Sequence, residues 1–375
     1  MLPYGRQSID PEDIAAVEAA LRSDWLTTGP EVDRFEAAVA ARAGVDHAVS
    51  VTSGTAALHV AYAAAGIEPG DEVVTTPLTF AATAATAALL GAKIVFADVD
   101  PATGNLDPAA AEAAVTSRTR VVAGVDYAGV PVDAPALQDL AARKDLLFLE
   151  DAAHSIGSTL DGKPVGSLAD LTTYSFFPTK NLTTAEGGAV VTADEELAAR
   201  ARAFKNHGLV RDRSLQRTPD EGPWHQEVHS FGLNYRLPDV LSALGTSQLT
   251  RLDAFVARRA EVKKAYDEAL GDLDGVEIPF APEGAAPAWH LYPLRVPAER
   301  RRAIFDSLRE QGIGVQVNYI PAYWHPVFED LGYQRGMCPV AEDYYRREIS
   351  LPMFPSLTDA DVESVIAATR KAVGA

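Results

Sequence analysis

One cysteine, Cys338, stands in the 375 residues, so no intramolecular disulfide can form and no thiolate cage for a metal can be assembled. A reducing compartment, the cytoplasm, is the expected setting. Positive charge is also scarce. Lys and Arg number 33 against 52 Asp and Glu, a formal net charge of -19, and no dense basic cluster offers a track for a phosphate backbone. Nucleic acid is not an expected partner. Long apolar runs are missing too, since none approaches the roughly 18 residues of a membrane span. The start, Met1-Leu2-Pro3-Tyr4-Gly5-Arg6, has neither the basic head nor the apolar stretch of a secretory signal. No membrane association is expected.

What is present is the composition of a globular protein, with 47% hydrophobic residues and enough chain for two domains. Asp10-Pro11 offers an N-cap followed by Pro at the first helical position, and Ile14, Val17 and Leu21 recur at helical spacing. Short apolar or β-branched runs then alternate with Ala-rich helical stretches: Ala48–Val51, Glu72–Thr75, Lys93–Phe96, Arg120–Ala123 and Leu146–Leu149. That rhythm predicts an α/β fold with a mostly parallel sheet flanked by helices. A helix from Pro238 through Leu252 into the charged 258–261 segment is expected to bridge to a second unit, with strands at His290–Leu294 and Val315–Tyr319. The expected division is a large domain over 1–252 and a smaller α/β domain over 253–375. Residues 209–229 read as a long polar loop, a candidate lid or a disordered surface segment.

Parallel sheets place working residues at the carboxyl ends of their strands, and the chemistry-bearing residues follow that rule. Ser53-Gly54-Thr55 stands between a strand and a helix, where Gly54 permits close backbone approach and the helix start presents free amides to an anion; the same triplet could simply cap the helix. Glu150-Asp151-Ala152-Ala153-His154 ends an apolar strand, and an aspartate there can ion-pair with a protonated pyridine nitrogen or merely cap the next helix. Lys180 follows the aromatic segment Tyr174–Phe177 and precedes the turn Glu186-Gly187-Gly188. This setting suits an amine that must be desolvated to act as nucleophile and base, although a lone lysine is ordinarily a surface residue. Taken together, an anion-binding helix start, a strand-end aspartate and a lysine near another strand end are the parts that pyridoxal 5′-phosphate (PLP) requires for its phosphate, ring nitrogen and aldehyde.

Over essentially its whole length the chain resembles the PLP-dependent sugar aminotransferases of the DegT/StrS family, which have the aspartate aminotransferase-like (type I) fold. The resemblance is carried by Asp24–Pro30, Ser53–Leu58, Thr79–Thr83, Glu150–His154, Ser175 through Lys180, Glu186–Gly188, His207-Gly208 and Gly232–Arg236. It implies that Gly54, Thr55 and Ser175 bind the cofactor phosphate, that Phe80 stacks on the ring and Asp151 pairs with its nitrogen, and that His154 approaches its phenolic oxygen. Lys180 would hold the aldehyde. Asn234 would reach the phosphate of a neighbouring subunit's cofactor, which makes a homodimer with shared sites the expected assembly. Within the family the likeness is greatest to the aminotransferases of the pseudaminic acid pathway, through stretches such as Val125–Gly129, Thr183–Thr192, His290–Pro293 and Glu348–Pro352. It implies amination of the position-4 ketone of a 6-deoxy sugar nucleotide, with L-glutamate as the expected donor. Tyr319 and Tyr323 would touch that substrate; Asn318 departs from the pattern, standing where the family carries His. The rival readings are a 3-keto sugar or an inosose as acceptor, and a PLP-binding regulator without turnover. Dehydratases of this fold carry His in place of the Lys.

Overall fold

The structure is a computed structural model and describes residues 1–374. Asp10 and Asp13 form a capping box around Pro11, which starts the first helix, Pro11–Arg22. The centre of the molecule is a seven-stranded sheet. Its strands in chain order are β1 (His47–Val51), β2 (Glu72–Thr75), β3 (Lys93–Phe96), β4 (Thr119–Val125), β5 (Leu147–Asp151), β6 (Leu171–Ser175) and β7 (Gly188–Thr192). They lie side by side in the order β1, β7, β6, β5, β4, β2, β3. Every strand but β7 points the same way, β7 being antiparallel to both of its neighbours. Hence the ends of β1, β2, β4, β5 and β6 all open on one edge of the sheet. The strands are buried along both faces, as a sheet covered by helices requires.

A second hydrophobic core is drawn from residues between Val262 and Val373, around the antiparallel pair Tyr292–Arg295 and Glu348–Leu351. The segment from Ala322 to Tyr344 does not join it but packs on the core beside the main sheet, where Phe96 meets Tyr323, Phe328 and Tyr333. At the other end of the chain, Leu2 bridges to Ile313 and brings Tyr4 across to the sheet edge. No helix among the described residues is long and apolar enough to cross a membrane.

Two local expectations are corrected. The bridging helix is two helices, Asp239–Leu249 and Leu252–Leu270, because Arg251 at the break is drawn to the carboxylates of Asp10 and Asp13. Val315–Tyr319 is not a strand beyond a single bridge from Gln316 to Ser350, since the Asn318 amide donates to the Glu348 carboxyl at 2.7 Å instead of to a ladder partner. Within the expected loop at 209–229, Leu209–Val210 pairs with Glu227–Val228 as a short ribbon, with two 3-10 turns between.

Candidate active site

The helix Gly54–Ala64 begins directly after β1, and the Ser53 hydroxyl caps it by accepting from the Ala56 amide at 3.0 Å. The amides of Gly54 and Thr55 are left without an intrahelical partner, at the positive end of the helix dipole and on the wall of a cavity of about 570 Å3. Gly54 is required by space: a Cβ there would lie 2.7 Å from Cβ and 2.8 Å from Oγ of Ser175. Helix start and Ser175 hydroxyl therefore form one small cradle, dimensioned for an anion that accepts hydrogen bonds.

Asp151 ends the central strand β5 and is buried on the same cavity wall. Its Oδ2 accepts from Thr83 Oγ1 at 2.7 Å and its Oδ1 from the Ala153 amide at 3.2 Å, while Thr83 shares a further bond of 2.8 Å with Thr79. Burial pushes the carboxyl pKa up, against the pull of those hydrogen bonds and of the Lys180 charge. A buried carboxylate so placed gains from one more cationic N–H donor in the cavity.

Lys180 reaches the cavity from the turn after β6, its amide donating to the Phe177 carbonyl at 2.9 Å. Loss of water around the ammonium brings its pKa down from 10.5 to about 8, with Asp151 opposing the shift. An amine in that range carries a far larger neutral, nucleophilic fraction near neutrality than an ordinary lysine. His154 is buried beside it, and burial followed by the Lys180 charge keeps the imidazole neutral. Its Nε2 lies 3.1 Å from the Tyr319 hydroxyl, while its Nδ1 is buried with no partner.

Phe80 is 62% exposed at the cavity mouth, its ring centroid 6.3 Å from that of Tyr319. So Gly54, Thr55, Phe80, Asp151, His154, Ser175, Lys180 and Tyr319 line one cavity. Asn234 does not: it is exposed, away from that cavity, in a bridge with Asn206. Tyr323 is also not brought there. It is fully buried in the core, its hydroxyl donating to Glu342 at 2.7 Å and accepting from the Cys338 amide at 3.1 Å.

Several lining residues escaped the sequence reading. Thr83 sits one helical turn from Thr79, a spacing that could have suggested a shared partner. Tyr4 carries no local signal, and the family stretch that holds His290 assigns it no role, because only tertiary contacts bring the two in. Asn318 is a hub: its side-chain amide donates to the Tyr4 hydroxyl at 2.9 Å and to Ser350 Oγ at 3.0 Å, and its carbonyl accepts from the Tyr127 hydroxyl. These residues together fit PLP, offering an amide-and-hydroxyl cradle for a phosphate, a buried carboxylate for a ring N–H and an amine for an aldehyde.

Comparison with known proteins agrees. The DegT/DnrJ/EryC1/StrS aminotransferase family matches residues 7–370. The chain is similar to the spore coat polysaccharide biosynthesis protein SpsC of Bacillus subtilis, at 42% identity over 99% of this chain and 97% of that one. Its fold is similar to that of Helicobacter pylori PseC, an aminotransferase of pseudaminic acid biosynthesis, with a TM-score of 0.93, 34% identity and coverage of 99% and 98% of the two chains. The PLP-form of Spr1654 from Streptococcus pneumoniae superimposes with a TM-score of 0.93 at 27% identity, covering 99% of this chain and 98% of that one. This chain belongs to the DegT/DnrJ/EryC1/StrS aminotransferase family and is a PLP-dependent sugar aminotransferase of the type I fold.

Proposed function

We propose that this enzyme moves an amino group from L-glutamate to the position-4 ketone of a 6-deoxy sugar nucleotide, in amino-sugar biosynthesis in the cytoplasm. The observation that carries the proposal is the convergence of Lys180, Asp151 and the Gly54–Ser175 cradle on one cavity, in a chain similar to PseC. PLP, when bound, supplies an aldehyde for the donor's amino group and a protonated ring that takes up the electron pair left at the donor's α-carbon. Gly54, Thr55 and Ser175 hold the phosphate. Asp151, oriented by Thr83 and the Ala153 amide, keeps the ring nitrogen protonated, and His154 stands by the phenolic oxygen. Phe80 covers the ring at the cavity mouth. The Lys180 amine would hold the aldehyde and, as a free amine, would take the α-proton of the donor and give a proton to the sugar carbon that comes to bear the amino group.

Tyr319, on the cavity wall beside His154, would touch the acceptor. Asn234, exposed on its own subunit, contributes to the site of a second copy, so the working unit is a homodimer. The 1–252 and 253–375 segments act as large and small domains, and the 209–229 ribbon closes over the acceptor.

The test is incubation of PLP-loaded protein with L-glutamate and a panel of 4-keto and 3-keto sugar nucleotides and inososes, read by mass spectrometry and 2-oxoglutarate release. Amination of the 4-keto compound is expected. Turnover confined to a 3-keto sugar or an inosose overturns the acceptor assignment, and a protein that binds PLP without releasing 2-oxoglutarate from any pair is a regulator. Borohydride reduction followed by peptide mapping is expected to place the pyridoxyl group on Lys180; any other lysine sinks the site assignment.

A further inference from the structure

The cavity wall holds a second imidazole to which the proposed reaction gives no task. His290 is buried, lines the cavity and lies against His154, with ring centroids 4.4 Å apart and planes inclined by 40°. Neither ring is fixed through its Nδ1, which in both is buried without a partner. The second nitrogen of an imidazole ordinarily sets its tautomer and orientation through a hydrogen bond. In His154 that bond is missing, and what remains is the contact of Nε2 with Tyr319 and the ring of His290.

The His290 backbone is firmly held. Its amide donates to the Ala128 carbonyl at 2.8 Å, and its carbonyl accepts from the buried Arg259 guanidinium at 3.3 Å. The turn it docks on has no room to give: a Cβ on Gly129, where φ is +94°, would lie 3.0 Å from the His154 carbonyl oxygen and 3.1 Å from the His290 nitrogen. Asn181 ties the same two segments, its amide donating to the Ala288 carbonyl at 3.1 Å and the His154 carbonyl at 3.4 Å. Two stretches far apart in sequence are thus locked together, and one presents its ring to the other. Burial, with Lys180 near both rings and Arg259 near His290, disfavours a charge on either imidazole.

We propose that His290 is a positioning residue: its ring holds the plane of the neutral His154 imidazole, so that Nε2 stays aimed at the Tyr319 hydroxyl and that hydrogen bond keeps one tautomer. The inference rests on the reading of His154 as a cofactor-facing group. In the reaction, a fixed neutral imidazole donates or accepts at one atom only, whereas a rotating one offers its two nitrogens alternately.

The test uses protein labelled with 15N at histidine, wild type against His290→Ala, His290→Phe and His290→Leu, both cofactor-free and PLP-loaded. Long-range 15N–1H spectra report the His154 tautomer, fluorescence titration reports PLP affinity, and kcat is measured on the loaded enzyme. The expected wild-type signature is one tautomer. His290→Ala and His290→Leu should mix or broaden the His154 signals, weaken PLP binding about tenfold and lower kcat about 100-fold, the cost of a misplaced group. His290→Phe, which restores a flat ring without nitrogens, should keep the single tautomer and a kcat within about fivefold of wild type. Unchanged His154 signals in the Ala and Leu variants overturn the proposal, as does a Phe variant impaired like Leu. Should His290→Ala fail to fold, the volume-filling Phe and Leu pair decides alone. Failure of the wild type to take up PLP would sink the reading of the site, while the cofactor-free spectra still decide the relation between the two rings.

Discussion

At the carboxyl edge of the sheet Asp151, His154 and Lys180 are packed among strand ends and helix starts, whereas in the 209–229 ribbon Asp212, His225, Glu227 and His229 are exposed or half-buried and bond within the ribbon itself, Asp212 to Ser214 and Glu227 to both histidines, Arg217 and Thr218. Both regions are rich in titratable groups. At the sheet edge burial governs them: it lowers the Lys180 amine to about 8 and raises Asp151. In the ribbon hydrogen bonds govern instead, and donation from the Arg217 amide and His229 holds the Glu227 carboxyl far below its ordinary range. Groups held by burial have altered chemistry and little freedom; groups shifted by hydrogen bonds in a surface loop keep that shift only while the loop stays closed, and can let go.

The contrast is broken most directly by removing the amine. Lys180→Ala is expected to lower glutamate-dependent 2-oxoglutarate release about 1000-fold or more while leaving the fold intact, since both nucleophile and proton carrier are lost. Asp151→Asn keeps the shape and the Thr83 contact but not the charge, and should cost about 100-fold in kcat. A variant with wild-type kcat at either position would remove the sheet edge from the reaction. The lysine also gives a pH test. Only the uncharged amine captures added PLP, so the capture rate should rise as pH is raised through about 8 and then level off; a rate still climbing near 10.5 would mean a solvated ammonium.

The sheet and its working edge are legible in the sequence because they rest on local causes. β2 and β3 run over 72–75 and 93–96 as their β-branched residues indicate, and parallel strands must aim their ends at one edge. What is not legible rests on distant partners. Nothing near Tyr4 or His290 tells that one crosses from the chain start and the other docks on the turn at Ala128. The break at Thr250-Arg251 is set by carboxylates some 240 residues away. The ribbon depends on Glu227 finding Arg217 and Thr218 across the loop. Tyr323 misleads for the same reason: the 3-10 turn Ala322–Trp324, pinned by the Ala322 amide on the distant Pro77 carbonyl at 2.8 Å, carries it into the core and leaves Tyr319 at the cavity.

That pair of tyrosines sharpens the comparison within one short segment. Tyr319→Phe removes the hydroxyl that meets His154 and should lower kcat/KM about tenfold with little change in melting temperature, the size of one hydrogen bond. Tyr323→Phe leaves the Cys338 amide without its acceptor inside the core and takes one donor from Glu342, which keeps Trp324, Gly336 and Arg346. It should cost about 1–3 kcal/mol of stability while kcat/KM stays within about twofold of wild type. Calorimetry and steady-state kinetics on the two variants separate the roles, and a Tyr323→Phe enzyme that melts normally but loses kcat/KM would return Tyr323 to the substrate.

The smallest effect is expected in the ribbon. Glu227 accepts from the Arg217 and Thr218 amides at 2.8 and 2.7 Å and from Thr218 Oγ1 at 2.8 Å, with His225 and His229 at 3.2 and 2.6 Å. All of these partners can donate, so only an oxygen on each side of the group satisfies them. Glu227→Gln points an NH2 at one set of donors and opens the ribbon locally without touching the sheet edge. Trypsin should then cut at Arg211, Arg213 or Arg217 about fivefold faster, and the KM for the acceptor should rise about two- to threefold with kcat unchanged, because a looser lid weakens closure rather than chemistry. Faster cleavage with no change in KM would make the ribbon a surface feature. A fall in kcat as large as that of Asp151→Asn would mean that the two regions are not independent.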